Sequence, residues 1–197
     1  MFARRPVSAF CFLLFSDRFG GLMSSENSES LCLECGLCCN GVIFARGELQ
    51  PEDDATRLRM LGLRLISNSK FKIQNSKFAQ PCAAFDGCRC RIYADRPKYC
   101  REFECLLLRD VKAGALETAA ALRIIQTARR RADKVKKLLR ELGDAQEHLA
   151  LSVRFRRMQR RMETSKLDEE SADCYGELTL AVHDLNMLLS GAFYPGS

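Results

Sequence analysis

"CLECGLCC", residues 32–39, places four cysteines in eight positions, the last two adjacent. A second group follows in "PCAAFDGCRCRIYADRPKYCREFEC", residues 81–105, which carries Cys82, Cys88, Cys90, Cys100 and Cys105. Nine of the eleven cysteines therefore lie between Cys32 and Cys105. A secreted disulfide framework and a metal site can both be rich in cysteine, and spacing separates them. Cys-x-x-Cys-x-x-Cys-Cys brings several sulfurs within reach of one point, which suits coordination better than a knot of loops. Thiolates take soft or borderline metals, and four of them complete a zinc site or hold an iron–sulfur cluster. Adjacent residues in extended backbone point opposite ways. Cys38 and Cys39 are thus expected to serve different metals, or different irons of one cluster. Eight thiols, Cys32, Cys35, Cys38, Cys39, Cys82, Cys90, Cys100 and Cys105, would fill two four-sulfur sites, with Cys88 left over.

Around these cysteines the chain is loop-rich. Asp86, Gly87, Asp95 and Pro97 are turn residues, so order in this part is expected to come from a bound metal. "GVIFA" (41–45) reads as a short strand. "LQPEDDATRLRMLGLRL" (49–65) reads as a helix with Pro51 in its first turn and Leu58, Leu61 and Leu65 at helical spacing. "KFKIQNSKF" (70–78) reads as a strand pair. Beyond Cys105 strong helix formers dominate. The stripe Leu122, Ile125, Leu138 and Leu142 predicts a helix stopped by Gly143. Further helices are predicted over 144–162 and 169–189, the last carrying Cys174 and His183. The fold class expected is mainly α, with a metal-organised cysteine module containing a few short strands. The module spans 31–110 and the helical region 111–197. Residues 1–30 read as a disordered extension. "MSSENSES" from Met23 is a polar start of cytoplasmic type, so residues 1–22 are read as lying upstream of the start, with a targeting segment as the alternative. Cys11 falls there and receives no role.

The motifs resemble those of the CxxCxxCC cysteine-cluster family, also called YkgJ-like. The matching pieces are Cys32-x-x-Cys35-x-x-Cys38-Cys39, Pro81-Cys82, Cys90-x-Ile92-Tyr93-x-x-Arg96-Pro97 and Cys100-Arg101-x-Phe103-x-Cys105. They cover about residues 31–110. The resemblance implies chelation of zinc or iron. Some relatives resemble flagellin lysine N-methylases, thought to depend on an iron–sulfur cluster. Methyl transfer is not carried over, because Val42 stands where a radical-type cluster motif would need its third cysteine, and no glycine-rich methyl-donor loop is present. Cys32-x-x-Cys35-x-x-Cys38 is similar to the start of a ferredoxin run, but Cys39 follows at once where spacers belong.

Other features receive plainer readings. Tyr93, Arg96 and Pro97 are expected to shape a loop, with Arg96 offsetting thiolate charge. His148, His183 and Cys174 read as ordinary surface or core residues. With two histidines in all, and no Ser/His/Asp set, phosphate loop or paired carboxylates, no catalytic constellation is found. Between Arg123 and Arg161 thirteen Lys/Arg stand against four Asp/Glu. That surplus could bind nucleic acid, in which case removing the arginines at 129–131 would abolish salt-dependent binding. It could equally be a face for a protein partner, or a solvated helix face with Asp133–Lys137 and Lys137–Glu141 pairs. No membrane association is expected. Zinc is placed slightly ahead of an iron–sulfur cluster, because eight thiolates close two sites completely.

Overall fold

The computed structural model describes residues 26–66, 76–165 and 168–194. Among them are seven helices and a three-stranded antiparallel sheet, the mainly α architecture with short strands that the sequence predicts. Helix α1 spans Glu26–Cys35. Residues 26–30, expected to be disordered, are therefore helical. Gly36 ends this helix in the left-handed region, at φ 62°. Its carbonyl accepts from Cys39 N (3.0 Å) and Asn40 N (2.9 Å), which folds the two adjacent cysteines into a tight turn. A Cβ at Gly36 would collide with the Phe85 ring, so the turn also packs the second cysteine group against the first.

The sheet consists of β1 (Arg46–Glu48), β2 (Leu65–Ile66) and β3 (Lys77–Ala79), in the order β1-β3-β2. Gly47 lies opposite Phe78, whose ring covers the place a side chain would need. "GVIFA" is not a strand: the turn at Asn40–Gly41, with Asn40 Oδ1 accepting from Val42 N, delays extended pairing until Arg46. The helix expected over 49–65 shrinks to α2, Ala55–Met60. Asp53 is used otherwise: its carboxylate accepts from Gln50 N and from Lys98 N, and Asp54 then caps α2. Pro51 lies before the helix instead of within its first turn. The strand pair expected over 70–78 falls largely outside the described residues; its end forms β3.

Helix α3 (Lys98–Glu102) follows Pro97, and α4 (Leu106–Lys112) is capped by Cys105, whose Sγ accepts from Leu108 N at 3.4 Å. The helix formers after Cys105 do not run on unbroken. Gly114 turns at φ 70°, and α5 starts afresh at Thr118 and runs to Glu141. Gly143 stops it, as expected, at φ 78°. Helix α6 spans Leu151–Thr164, not 144–162. The segment before it is held as a loop because Asp144 bonds Arg154 at 2.6 Å and accepts from Gln146 N. Helix α7, Glu169–Ala192, is capped by Asp168. Asp133 pairs with Lys136 at 2.9 Å instead of Lys137, whereas Lys137–Glu141 forms at 3.5 Å. No helix among the described residues is long and apolar enough to cross a membrane.

Two apolar cores result. The larger joins α5 and α7 through Ile125, Val135, Leu139, Leu178 and Leu185, and takes in Leu31, Leu37 and Ile43 from the first cysteine segment. The smaller gathers Leu49, Leu58, Leu63, Phe78 and Ile92 beneath the sheet and α2.

Candidate metal centre

The eight thiols sit where the two cores meet. Cys35, Cys38 and Cys105 pack against the larger core, and Cys82, Cys90 and Cys100 against the smaller. All eight are free, Cys32 exposed and the others half-buried. One cavity of about 110 Å³ is lined by every one of them, and aromatic and aliphatic side chains such as Phe44, Phe78, Phe85 and Phe193 make up much of its wall. Cys88 is disulfide-bonded and is not a free thiol.

Electrostatics sort the thiols. Burial pushes Cys38 well above the ordinary thiol value, and the neighbouring thiols that add to the shift are Cys35, Cys39, Cys105 and Cys32. Burial pushes Cys39 up to about 12, and its neighbours are Cys90, Cys82, Cys100 and Cys35. Apart from each other and Cys35, the thiol neighbours of the two differ: Cys105 and Cys32 act on Cys38, and Cys90, Cys82 and Cys100 on Cys39. Cys35 and Cys100 are each raised to about 12, again chiefly by desolvation. As the side chains stand, no three His, Cys, Asp or Glu groups among the described residues converge on one ion point. The donors therefore suit zinc or iron by type, number and grouping, and closing on a metal requires the thiols to draw inward.

Two residues lining this cavity each carry a buried polar atom without a partner among the described residues, Gln80 Oε1 and Arg96 Nε. The Arg96 guanidinium stacks 3.8 Å over the Tyr93 ring. Burial raises both Cys32 and Cys100, and the positive charge of Arg96 opposes that rise at each. A guanidinium on the wall of a thiol-lined cavity is the kind of donor that charged thiolates take. The loop-shaping part expected of Tyr93, Arg96 and Pro97 is visible too: Arg101 Nη1 donates to the Arg96 carbonyl at 2.6 Å, and Pro97 leads into α3.

Cys174 lies on α7, with Glu141, Glu177 and Glu170 as its charged neighbours, apart from the eight. His148 and His183 are exposed. All three arginines offered as a nucleic-acid contact have hydrogen-bond partners, Arg130 through Thr127 Oγ1 at 3.0 Å. Arg129 donates to the carbonyls of Glu34 and Cys35, and Arg131 to that of Asp184. Sequence spacing gives no hint of the Arg129 contact, which spans more than ninety positions. Gln80, directly before the Pro-Cys motif, was also missed.

The chain matches, over residues 31–140, the family described as "CxxCxxCC: putative zinc- or iron-chelating domain". That is more than half of its 197 residues. The chain belongs to the CxxCxxCC family. The match extends past the cysteines to the end of α5, the helix that supplies Arg129 and Ile125 to the centre. Comparison with curated proteins gives no match, and comparison with solved structures gives none.

Proposed function

We propose that this CxxCxxCC protein binds zinc or iron at two four-thiolate sites, one formed by Cys32, Cys35, Cys38 and Cys105 and the other by Cys39, Cys82, Cys90 and Cys100. The observation that carries the reading is one cavity lined by eight free thiols, with Cys35, Cys38 and Cys105 packed on the larger core and Cys82, Cys90 and Cys100 on the smaller. When bound, such a metal supplies closed coordination that ties loops together and stabilises the fold by its own binding free energy. The chain's own residues do the rest. The apolar wall keeps water from the sulfurs. Arg96 faces both sets and offsets part of the charge that four thiolates leave on a divalent ion. Zinc is favoured over an iron–sulfur cluster because both sets are complete without an outside ligand.

The test is metal and sulfide analysis, with an absorption spectrum, on full-length protein purified without oxygen. Two zinc per chain and no visible colour support the reading as stated. Iron with inorganic sulfide and a brown band keep the ligand sets and replace zinc by clusters, with electron transfer as the associated chemistry. Protein that binds neither metal, or whose eight thiols are paired in disulfides, would overturn it.

A further inference from the structure

Behind the second thiol set lies another cavity, of about 220 Å³, whose wall includes Asn40, Pro81, Lys136, Arg140, Glu147 and Arg154. Asn40 follows Cys39 and Pro81 precedes Cys82, so this cavity touches the thiol turns from outside. Three of its wall residues are cations. Arg154 is the decisive one: its side chain is 4% exposed, and its buried Nη2 has no hydrogen-bond partner among the described residues. Asp144 engages only its Nε, at 2.6 Å. A buried guanidinium N–H left unmet costs free energy that a bound acceptor would recover. Lys136 and Arg140 add charge from successive turns of α5. Their partners, Asp133 at 2.9 Å and Glu147 at 3.3 Å, are 69% and 57% exposed, so solvent screens those pairs. The Glu147 carboxylate itself stands in the wall, which favours an anion small enough to sit toward Lys136 and Arg154.

We infer that this cavity is a binding site for a small oxyanion of the phosphate class, held by Arg154, Lys136 and Arg140. Planar guanidinium groups present paired donors to a tetrahedral oxyanion, and the ammonium of Lys136 supplies a point charge. Asn40 is less free to contribute, because its Oδ1 accepts from Val42 N at 3.1 Å. The inference is independent of the metal reading, since none of the eight thiols lines this cavity.

The experiment is isothermal titration of the metal-loaded full chain with inorganic phosphate and, separately, glycerol 3-phosphate, at an ionic strength fixed with potassium chloride. The same titrations are run on a Lys136→Gln/Arg140→Gln double variant, with metal content and melting temperature measured for both proteins. Saturable binding by the parent chain, weakened at least tenfold in the double variant with metal content unchanged, is expected. Tighter binding of glycerol 3-phosphate would assign the site to a phosphomonoester, and tighter inorganic phosphate to the free ion. No saturable binding of either probe, as when only water fills the cavity, would overturn the inference, and so would equal binding by parent and variant. If the double variant fails to fold, Lys136→Gln alone must weaken binding at least threefold, and unchanged affinity would overturn the inference.

Discussion

Arg129 of α5 holds the last carbonyl of α1: its Nη2 donates to Cys35 O at 2.8 Å and its Nε to the same oxygen at 3.2 Å. The end of a helix leaves carbonyls without partners, and a cation there also meets the negative end of the helix dipole. Because Cys35 belongs to the first thiol set, one residue of the helical region fixes where that set begins. Arg129→Ala should destabilise the protein by about 1–3 kcal/mol, read by urea unfolding. Arg130→Ala, which removes an exposed contact to Thr127, should change little. Equal effects would show that the cap contributes nothing.

Cys38→Ser and Cys39→Ser should behave as a pair of opposites. Each should lower metal content by about half, because each thiol belongs to a separate proposed site. Cys35→Ser and Cys100→Ser should also release metal and broaden or lose the unfolding transition. Cys174→Ser should leave both unchanged. Loss of all metal from Cys38→Ser alone would mean one shared centre.

The pH dependence should differ between metal-free and metal-loaded protein. Burial raises Cys35, Cys39 and Cys100 from 9.0 to about 12, so the metal-free fold holds these thiols neutral. The stability that this contributes is complete below pH 9.0 and is lost as pH rises toward 12, because only the unfolded chain ionises freely in that window. Metal binding needs the thiolate and expels the protons. Metal affinity at neutral pH should therefore rise with pH, with proton release measurable by titration in buffers of different ionisation heat. Affinity independent of pH would argue against thiolate ligands.

Gly47→Ala should cost about 1–3 kcal/mol by overpacking, because its Cβ would enter the Phe78 ring and Phe78 is buried in the smaller core. Gly62→Ala is the contrast. It has nothing near its Cβ, so what it loses is only what its φ of 94° imposes. Thermal unfolding of the two variants separates contact from backbone strain.

That the thiols of the two motif groups gather around one cavity was legible in the sequence, because the crowding of cysteines is a local property. The long helices were legible for a similar reason, since strong helix formers dominate there and Ile125, Ala128, Ala132, Val135 and Leu139, all buried, recur every three or four residues. What could not be read was long-range. Asp53 lies inside the stretch read as a helix, but its carboxylate is spent on the Lys98 backbone N–H, forty-five positions away. Asp144 was placed in a helix, but a buried pair with Arg154 keeps it in a loop. The arginines at 129 and 131 looked like surface charge, and carbonyls of distant helices claim them. In each case a partner remote in sequence overrode the local preference.

Phe193 is wholly buried, lines the thiol cavity, and gives its carbonyl to Leu106 N beside Cys105. Tyr194 reaches Ile43 O at 3.2 Å. During synthesis the cysteines leave the ribosome long before these two residues exist. The cavity lacks a wall until nearly the last described residue has emerged, so a nascent chain carries eight reduced thiols in an open cleft. Protection of those sulfurs is therefore timed to the emergence of α7, and metal captured earlier is exposed to exchange until α7 docks.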